Sequence, residues 1–427
     1  MDDPARAAAA LDGRRLLGNL GSLAQIGRTA QGGVSRTAFS EDFVAGRSLV
    51  ADACRAAGLA SHVDEVGNLV CETDRERSSP PAIIVGSHLD TVANAGLLDG
   101  AYGVLGGLAA IDAITSASIR LRHPVVLAGF VNEEGAGGTA AMLGSKACAG
   151  RSVESDLHER DESGRSVAEL VVGIGGRPDD APSAALGRRG PLGAYLELHV
   201  EQGPVLERSG RDIGIVTGIT GRVLVDVTCM GRAVHAGTTP MEAREDALVA
   251  AALVVGAVER TARRGLVRVA TAGALRVEPG VRNTVPGRVI LEAELRDADR
   301  TAMSRGLDAL DAAVAEISAS TGVRIETRVV EVVEPCATDA MVRGALAAGA
   351  LACGASCAEI TSGAGHDAQS FAGVVPIGMC FVPSIEGVSH APAEATRDED
   401  LVRGAAVLAA SIVVLDRTLV ASPDGST

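Results

Sequence analysis

The sequence contains very few aromatic residues. Only 2% of its 427 residues are aromatic, with two Tyr, five Phe and no Trp. Hydrophobic residues nevertheless make up 47% of the chain. We therefore predict hydrophobic cores built from Ala, Val, Leu and Ile. We also expect two domains, because one core rarely serves a chain longer than about 300 residues.

Lysine is almost absent, and acidic residues outnumber basic ones. Lys146 is the only lysine, the formal net charge is −15, and no basic stripe with interleaved aromatics occurs. Binding of nucleic acid needs clustered Lys and Arg to neutralise phosphates. The charge pattern therefore argues against nucleic-acid binding, and an anionic surface suits a soluble enzyme without indicating its ligand.

The sequence also lacks cysteine pairs and long apolar runs. None of the eight cysteines forms a CxxC pair, and the spacing of Cys353 and Cys357 is not that of a zinc knuckle. We interpret them as buried free thiols of a reducing cytosol. The longest apolar runs, 247–258 and 404–415, are too short to cross a bilayer. The N-terminal Met1-Asp2-Asp3 is acidic where a signal peptide is basic. We expect a cytoplasmic protein without membrane contact.

The first 217 residues alternate between strand and helix patterns. Short continuous apolar runs indicate buried parallel strands, and longer periodic segments indicate helices on their faces. Residues 151–190 are polar and weakly patterned, which predicts loops with one or two short helices. Ligands of such sheets bind at the carboxyl ends of strands. The predicted elements are a helix over 12–26, a strand over 82–87, a helix over 104–117, and strands over 125–131 and 195–200.

From Gly221 the pattern changes to β-α-β-β-α-β, the order of a ferredoxin-like module. We therefore predict an α/β domain with a mixed, mostly parallel sheet flanked by helices (1–217 plus 335–427). Into it is inserted a ferredoxin-like α+β domain (218–334). The predicted elements of the insert are strands over 222–230, 267–277, 288–296 and 323–333, and helices over 241–264 and 301–320.

Five polar motifs are candidates for the chemistry. Each is bounded by Gly or Pro; three of them follow or end predicted strands, and LDG begins ten residues after His88, with Asp99 eleven residues beyond it. Their His, Asp and Glu side chains are the usual ligands of Zn²⁺ and similar ions. The motifs are GSHLDT (86–91), LDG (98–100), NEEG (132–135), ELHVEQGP (197–204) and SHAP (389–392).

The spacing within these motifs favours a metal pair that activates water. Asp90, two residues after His88, is expected to accept the second ring N–H of that imidazole and fix its tautomer. Glu133 and Glu134 are adjacent and leave a strand in opposite directions, so one can bind metal while the other addresses water. Two ions roughly 3.5–4 Å apart need a bridging carboxylate.

Each motif also has an ordinary structural interpretation. A lone His after a strand is usually structural, a Glu-Glu pair is usually a solvated face, and a Gly-flanked Asp is usually a turn residue. Their coincidence argues against this, because four of the eight histidines occur in Gly- or Pro-bounded polar motifs: His88, His199, His235 and His390. His62, His123 and His158 have no such setting.

Together the motifs resemble those of the dinuclear metallohydrolase (M20) superfamily, which includes aminoacylases and carboxypeptidase-like exopeptidases. They are most similar to its N-carbamoyl-L-amino acid hydrolase, allantoate amidohydrolase and β-ureidopropionase group. The similarity extends from about Gly86 to Thr396. The segments that carry it, besides those above, are GRAVHAGTTPMEAREDAL, RNTVPG and SGAGHDAQ…FVPSIEGVSHAPAE.

The resemblance implies a metallo-exopeptidase-like catalytic domain that binds two divalent ions. Zn is the first choice for these ions, and Mn, Co and Ni are alternatives. Glu133 would be the general base, which takes a proton from the attacking water and returns it to the departing nitrogen. The implied ligands are His88, Asp99 and His199 for one ion and Asp99, Glu134 and His390 for the other, so that Asp99 bridges.

The resemblance also makes the inserted domain a lid and dimerisation domain that contributes to substrate binding. His235 would polarise the carbonyl oxygen, and Asn283 and Arg296 would bind the substrate's α-carboxylate. Gln202 and the backbone of Gly365 would bind the ureido or amide end. Since lids of this family pair, the resemblance implies a homodimer in which His235 and Asn283 reach the partner's site. Spacing alone favours an exposed strand charge for Arg296, and the resemblance reverses this interpretation.

We therefore expect hydrolysis of a C–N bond in a ureido or amide group of a small, carboxylate-bearing substrate. An N-carbamoyl-L-amino acid or an allantoate-like ureido acid fits this description. Three departures from the family pattern lie at Gly137-Gly138, Leu98 and Val234. They remove no implied ligand or base, but the first two affect the expected substrate.

Three other functions are alternatives to this one. An aminoacylase or dipeptidase of the same superfamily would use the same metal site. A catalytically silent binding protein would have lost a metal ligand or the general base. The sequence retains all five implied ligands and the implied base, namely His88, Asp99, Glu134, His199, His390 and Glu133. A nucleotide-binding oxidoreductase would need a GxGxxG that opens a helix after a strand, and the sequence has none in that setting.

Overall fold

The computed structural model describes residues 1–73 and 80–419. Thirteen α-helices occur in these ranges, and short 3₁₀ turns lie between some of them. The helices are α1 (Asp3–Ala9), α2 (Gly13–Leu23), α3 (Glu41–Ala56), α4 (Ala101–Ser116), α5 (Leu143–Cys148), α6 (Glu154–His158), α7 (Val167–Gly173), α8 (Val205–Ser209), α9 (Ala247–Arg263), α10 (Arg300–Thr321), α11 (Ala340–Ala352), α12 (Ala368–Phe371) and α13 (Asp398–Thr418).

Fifteen strands occur in the same ranges. They are β1 (Ala60–Val63), β2 (Leu69–Glu72), β3 (Ala82–His88), β4 (Val125–Phe130), β5 (Leu192–Val200), β6 (Ile213–Ile219), β7 (Gly221–Met230), β8 (Val234–His235), β9 (Val269–Glu278), β10 (Thr284–Val285), β11 (Arg288–Asp297), β12 (Arg324–Val333), β13 (Cys336–Ala337), β14 (Cys357–Ser362) and β15 (Ile377–Val382). None of the described helices is both long enough and apolar enough to cross a membrane.

The described chain forms two compact units. Unit 1 comprises Met1–Thr217, Thr338–Ile360 and the chain from His366 onward, and unit 2 comprises Gly218–Ala337 and Thr361–Gly365. The largest sheet has the order β1-β2-β4-β3-β5-β15-β6-β13, with β14 beside β6. Its central strands β4, β3, β5 and β15 are parallel, and the outer pairings are antiparallel. The predicted mixed, mostly parallel sheet is thus confirmed.

The centre of this sheet is buried on both faces. Every residue of β3, β4 and β15 is buried, as expected for continuous apolar runs that helices cover on each side. Helices α4 and α13 pack on one another and contact these strands. Segment 151–190 contains the short helices α6 and α7 and two 3₁₀ segments, close to the prediction of loops with one or two helices.

Unit 2 contains a four-stranded antiparallel sheet in the order β12-β7-β11-β9. The chain order strand, helix, strand, strand, helix, strand agrees with the predicted ferredoxin-like module. On β11, Leu291, Ala293 and Leu295 are buried while the residues between them are more exposed. The predicted helix over 241–264 begins later, at Ala247, because the carboxylate of Asp246 accepts the N–H groups of its first turn.

Glycines of α4 permit a very close approach to the sheet. A Cβ added at Gly103 would lie 2.3 Å from the carbonyl oxygen of Leu198 and 2.6 Å from Cβ of Ser87. These neighbours belong to β5 and β3, one of them a backbone atom that cannot rotate away. His88 and His199, two of the predicted metal ligands, directly follow Ser87 and Leu198.

We predict that Gly103→Ala destabilises the protein by about 1–3 kcal/mol, the usual cost of overpacking a core. The matched control is Gly18→Ala in α2, where an added Cβ has nothing within 4 Å. That variant should gain about 0.5–1 kcal/mol, because Ala is the better helix former. Urea unfolding followed by circular dichroism measures both. Equal stability of the two variants would contradict the close approach.

Candidate metal centre

The carboxylate of Asp99 lies among four side chains of metal-ligand type. Its Oδ1 lies 3.3 Å from Nε2 of His88 and 3.1 Å from Nε2 of His199. Its Oδ2 lies 3.0 Å from Nε2 of His390, and that nitrogen lies 3.4 Å from Oε1 of Glu134. The two oxygens of one carboxylate therefore face two separate sets of ligands. The structure brings together the five side chains for which the sequence predicts metal ligation.

Backbone carbonyls set the tautomers of two of these imidazoles. Nδ1 of His88 lies 2.9 Å from the carbonyl oxygen of Asp90, and Nδ1 of His199 lies 2.9 Å from that of Val200. Because a carbonyl oxygen only accepts hydrogen bonds, each Nδ1 carries the ring proton and each neutral ring presents a lone pair at Nε2. Each Nε2 lies close to a carboxylate oxygen of Asp99, and a proton or a metal ion between the two atoms would stabilise this contact.

The structure corrects the expected role of the Asp90 carboxylate. The sequence predicted that it accepts the ring N–H of His88, but the backbone carbonyl of Asp90 does so. The carboxylate instead accepts the backbone N–H groups of Glu133 (3.3 Å) and Glu134 (3.2 Å), one on each oxygen. A fully buried carboxylate needs donors for both oxygens, and one ring N–H would have left the other oxygen bare. Asp90 thus fixes the turn that carries the Glu pair.

Three non-glycine residues of this region have a left-handed backbone. Asn132, Gln202 and His390 have φ values of +57°, +58° and +56°. Such conformations cost of order 1–3 kcal/mol each and persist where surrounding contacts determine them. For Gln202 one such contact is the hydroxyl of Ser384, which accepts its backbone N–H at 3.0 Å. All three residues lie next to, or are themselves, predicted site residues.

Glu394 holds the segment that carries Asp99 and was not singled out from the sequence. Its Oε1 accepts the backbone N–H groups of Leu98 (2.8 Å) and Asp99 (3.1 Å). Oγ of Ser389 lies 2.9 Å from its Oε2 and 3.1 Å from Oδ2 of Asp99. Nε2 of Gln202 also donates to this Oδ2, at 2.8 Å. The only sequence signal was the position of Glu394 at the end of the SHAPAE segment.

Burial and hydrogen bonding act in opposite directions on Asp99. Burial alone raises the pKa of its carboxyl, but hydrogen bonds from His199, His390 and His88 outweigh it and hold the pKa well below its usual value. The same contact with Asp99 raises the pKa of His390 to about 9. Asp99 is therefore a buried carboxylate anion surrounded by imidazoles that can carry positive charge.

Glu133 has the opposite electrostatic character. Burial raises the pKa of its carboxyl well above the usual value, His88 opposes the shift, and the carboxylates of Asp367 and Glu134 add to it. Its Oε2 lies 3.8 Å from Nε2 of His88. Burial and the neighbouring carboxylates therefore favour the protonated form of this carboxyl, which lies beside the candidate ligand cluster.

A second layer of buried polar groups lies behind His199. The ring of His366 lies 4.8 Å from that of His199, centroid to centroid. Glu197 accepts hydrogen bonds from the hydroxyls of Ser87 (2.9 Å) and Tyr195 (3.1 Å) and from the backbone N–H of Ala368 (3.0 Å). His366 was neither predicted as a site residue nor set aside with His62, His123 and His158, although it occurs in the SGAGHDAQ segment.

The cluster fits divalent metal ions by its donor set and by its charge. His88, Asp99 and His199 offer ligand atoms within 4.8 Å of one another, and so do Asp99, Glu134 and His390. Oε1 of Glu134 is buried and forms no hydrogen bond with the described residues. Buried carboxylates repel one another unless cations compensate them. By contrast, His62, His123 and His158 belong to none of the described ligand groups.

Of the predicted substrate-binding residues, Gln202 lies in unit 1 and the rest lie in unit 2. Strand β8 pairs with β10, so that His235 lies opposite Thr284, and the backbone carbonyl of Asn283 accepts the N–H of Ala236 at 2.9 Å. His235 and Asn283 therefore lie at the same end of a short ribbon. Gly365 belongs to the segment Thr361–Gly365 of the same unit.

Arg296 is engaged by a neighbouring carboxylate. Its Nε and Nη2 donate to the two oxygens of Glu294, at 2.9 and 3.0 Å, and its Nη1 donates to the carbonyl of Gly363 at 3.0 Å. A guanidinium has five N–H groups, so two remain for another acceptor. The side chain is oriented, as a carboxylate-binding group must be.

Comparison with known proteins agrees with this geometry. The model of peptidase family M20/M25/M40 matches residues 84–413. The chain is 38% identical over 398 residues to an N-carbamoyl-L-amino acid amidohydrolase of Geobacillus stearothermophilus, which covers 93% of this chain and 97% of that protein. It is 35% identical over 388 residues to an allantoate amidohydrolase of Bacillus subtilis (strain 168), with 90% and 93% covered.

A solved structure extends the similarity to the fold. The crystal structure of an amidase of the hydantoinase/carbamoylase family from Burkholderia multivorans matches with a TM-score of 0.87 and 35% identity. The match covers 96% of this chain and 99% of that one. The resemblance that the motifs predicted is confirmed, and the chain belongs to peptidase family M20/M25/M40.

Proposed function

We propose that the protein hydrolyses a C–N bond of a ureido group on a small, carboxylate-bearing substrate, an N-carbamoyl-L-amino acid or an allantoate-like ureido acid. The observation that carries the chemistry is the division of the Asp99 carboxylate between two ligand sets. The relatives named above act on ureido acids, and this supports the substrate class. For an N-carbamoyl-L-amino acid the products would be the amino acid, CO2 and ammonia.

Two divalent ions would be held by His88, Asp99 and His199 and by Asp99, Glu134 and His390. Zn is our first choice, because imidazole and carboxylate donors suit it, with Mn, Co and Ni as alternatives. Such ions, when bound, act as Lewis acids that make water more acidic and polarise a carbonyl.

The remaining steps belong to side chains of this chain. Glu133 takes a proton from the attacking water and returns it to the departing nitrogen, and its raised pKa suits both tasks. Oε1 of Gln202 is buried without a hydrogen bond to the described residues, so it can accept an N–H of the ureido group. The backbone of Gly365 would bind the same end.

The substrate's other groups would bind to unit 2. His235 donates to the carbonyl oxygen as negative charge develops there, and Arg296 and Asn283 bind the α-carboxylate. The two N–H groups that Arg296 retains beside Glu294 and Gly363 suffice for a carboxylate. Closure of this unit as a lid would exclude bulk water.

We further propose that unit 1 is the catalytic domain and that unit 2 is the lid and the dimerisation domain. Helix α9 exposes the apolar side chains of Leu248, Val249 and Leu253, and β9 is an edge strand of its sheet. Exposed apolar surface and an unpaired edge are features of association surfaces. In the homodimer His235 and Asn283 would reach the partner's site. A cytoplasmic location is proposed from the eight free cysteines.

A substrate panel tests the proposed reaction against an aminoacylase or dipeptidase. Metal-free protein is reconstituted with Zn, Mn, Co or Ni and offered ureido acids, N-acyl amino acids and dipeptides. We expect ammonia release from ureido acids to exceed amine release from the other two classes by at least tenfold in kcat/KM, about 1.4 kcal/mol in transition-state binding. Preferential cleavage of N-acyl amino acids or dipeptides would identify the alternative enzyme.

We predict that Glu133→Gln retains bound metal but loses about 10²–10⁴-fold in kcat, the usual contribution of a general base. Gln keeps the size of the side chain but cannot accept the proton. Metal analysis and steady-state kinetics on the same samples measure the two effects. Near-normal turnover would remove Glu133 from the role of base.

We predict that Arg296→Ala raises KM chiefly for substrates with a free carboxylate. The guanidinium supplies charge-assisted hydrogen bonds to two oxygens, worth about 1.5–3 kcal/mol. Kinetics of the variant with a ureido acid and its carboxyl ester tests this. Equal losses with acid and ester would assign Arg296 a structural role beside Glu294.

A further inference from the structure

One turn of unit 2 binds a ring nitrogen of His235. Nδ1 accepts the backbone N–H of Gly237 at 3.0 Å and that of Thr238 at 3.2 Å. Because an N–H only donates, Nδ1 presents its lone pair and the proton of a neutral ring lies on Nε2. This is the reverse of His88 and His199, whose Nδ1 atoms face carbonyl oxygens. Backbone groups thus assign opposite tautomers to histidines of different tasks.

The turn is fitted closely to the imidazole. A Cβ added at Gly237 would lie 3.2 Å from Cε1 and 3.5 Å from Nδ1 of His235. Thr239 closes the turn, since its N–H donates to the carbonyl of His235 at 3.2 Å. A side chain at Gly237 would therefore press on the ring that the turn's N–H groups hold.

Arg244 holds this turn from within unit 2. Its Nη2 donates to the carbonyl oxygen of Ala236 at 2.5 Å. Its Nε and Nη2 both donate to the carbonyl oxygen of Thr239 at 3.0 Å. These two carbonyls flank Gly237 and Thr238, the residues whose N–H groups bind His235. The guanidinium is half-buried and spans the turn as one planar fork, which a lysine cannot reproduce.

We propose that Arg244 is a positioning residue: it fixes the turn 236–239, whose N–H groups hold His235 with its proton on Nε2, and this Nε2–H donates to the substrate's carbonyl oxygen. The inference rests on the proposed function, since it requires His235 to contact that oxygen. The other tautomer would present a lone pair at Nε2 and repel a developing oxyanion. A misplaced turn therefore lowers kcat more than it raises KM, because the interaction strengthens in the transition state.

The test uses full-length, Zn-loaded protein labelled with ¹⁵N-histidine. Long-range ¹H–¹⁵N correlation spectra report which nitrogen of each ring carries the proton, and His235→Ala identifies the signals of His235. We expect an Nε2–H tautomer in the wild type. Arg244→Ala and Arg244→Lys should both introduce the Nδ1–H form and lower kcat on the order of tenfold or more, with little change in KM and unchanged metal content. The full loss of an oxyanion donor, as in His235→Ala, costs about 10²–10³-fold.

Arg232→Ala is the matched control. This exposed arginine also donates to a backbone carbonyl of the segment, but to Ala243, outside the turn. The variant loses the same charge and should keep both the tautomer and kcat. Should Arg244→Ala fail to fold, Gly237→Ala provides a second route, because its added methyl group disturbs the ring without a change in charge. It should likewise shift the tautomer and lower kcat.

The outcomes separate this proposal from the proposed function. An Nδ1–H tautomer in the wild type overturns the proposal directly. If His235→Ala is inactive while the Arg244 and Gly237 variants keep the wild-type tautomer and kcat, the positioning role is refuted and the proposed function stands. If the tautomer shifts but His235→Ala retains normal turnover, the contact between His235 and the carbonyl oxygen is refuted and the positioning role falls with it, whereas the proposed hydrolysis of a ureido acid stands.

Discussion

The structure depends above all on a group of carboxylates that are buried close together. Asp90, Asp99, Glu133, Glu197 and Asp367 are each at most 8% exposed. Burial of a charge costs several kcal/mol unless opposite charge or hydrogen bonds compensate it. Asp90 and Glu197 are compensated by backbone and hydroxyl donors, whereas Asp99 is surrounded by imidazoles whose Nε2 atoms face it. Divalent cations are the compensation that this arrangement fits best.

The surrounding scaffold serves to hold these groups against their mutual repulsion. Parallel strands β3 and β5 end at His88 and Val200, so the two imidazoles that are predicted to bind one ion come from the same edge of the sheet. The left-handed backbone at His390 and the three contacts of Glu394 bring distant segments to Asp99. Backbone conformations and buried charges that lower the stability of the fold thus occur together around Asp99. Such features are typical of functional sites.

Structural features that depend on a short stretch of sequence could be predicted. The buried strands β3 and β4 are continuous apolar runs, and β11 alternates with period two, so their positions followed from the sequence alone. The side chains of the candidate metal centre occur in Gly- or Pro-bounded motifs, and the structure brings them together. The start of α9 was placed too early because the apolar pattern extends beyond the cap at Asp246.

Features that depend on distant or backbone partners were not predictable. Glu394 binds the N–H of Leu98 across 296 positions of sequence, and no local pattern marks such a contact. The sequence suggested that the side chain of Asp90 binds the ring of His88, but the backbone carbonyl of Asp90 does so. Sequence patterns identify side chains and do not show where backbone carbonyls point. The tautomer of His235 likewise follows from two backbone N–H groups. The substrate-binding roles of unit 2 remain predictions.

The most direct measurement of the central claim is anomalous X-ray diffraction from crystals of the protein reconstituted with Mn²⁺ or Zn²⁺. We expect two anomalous peaks per chain, roughly 3.5–4 Å apart, with one oxygen of Asp99 toward each. A single peak, peaks at other residues, or ordered protein with no metal at Asp99 would contradict it.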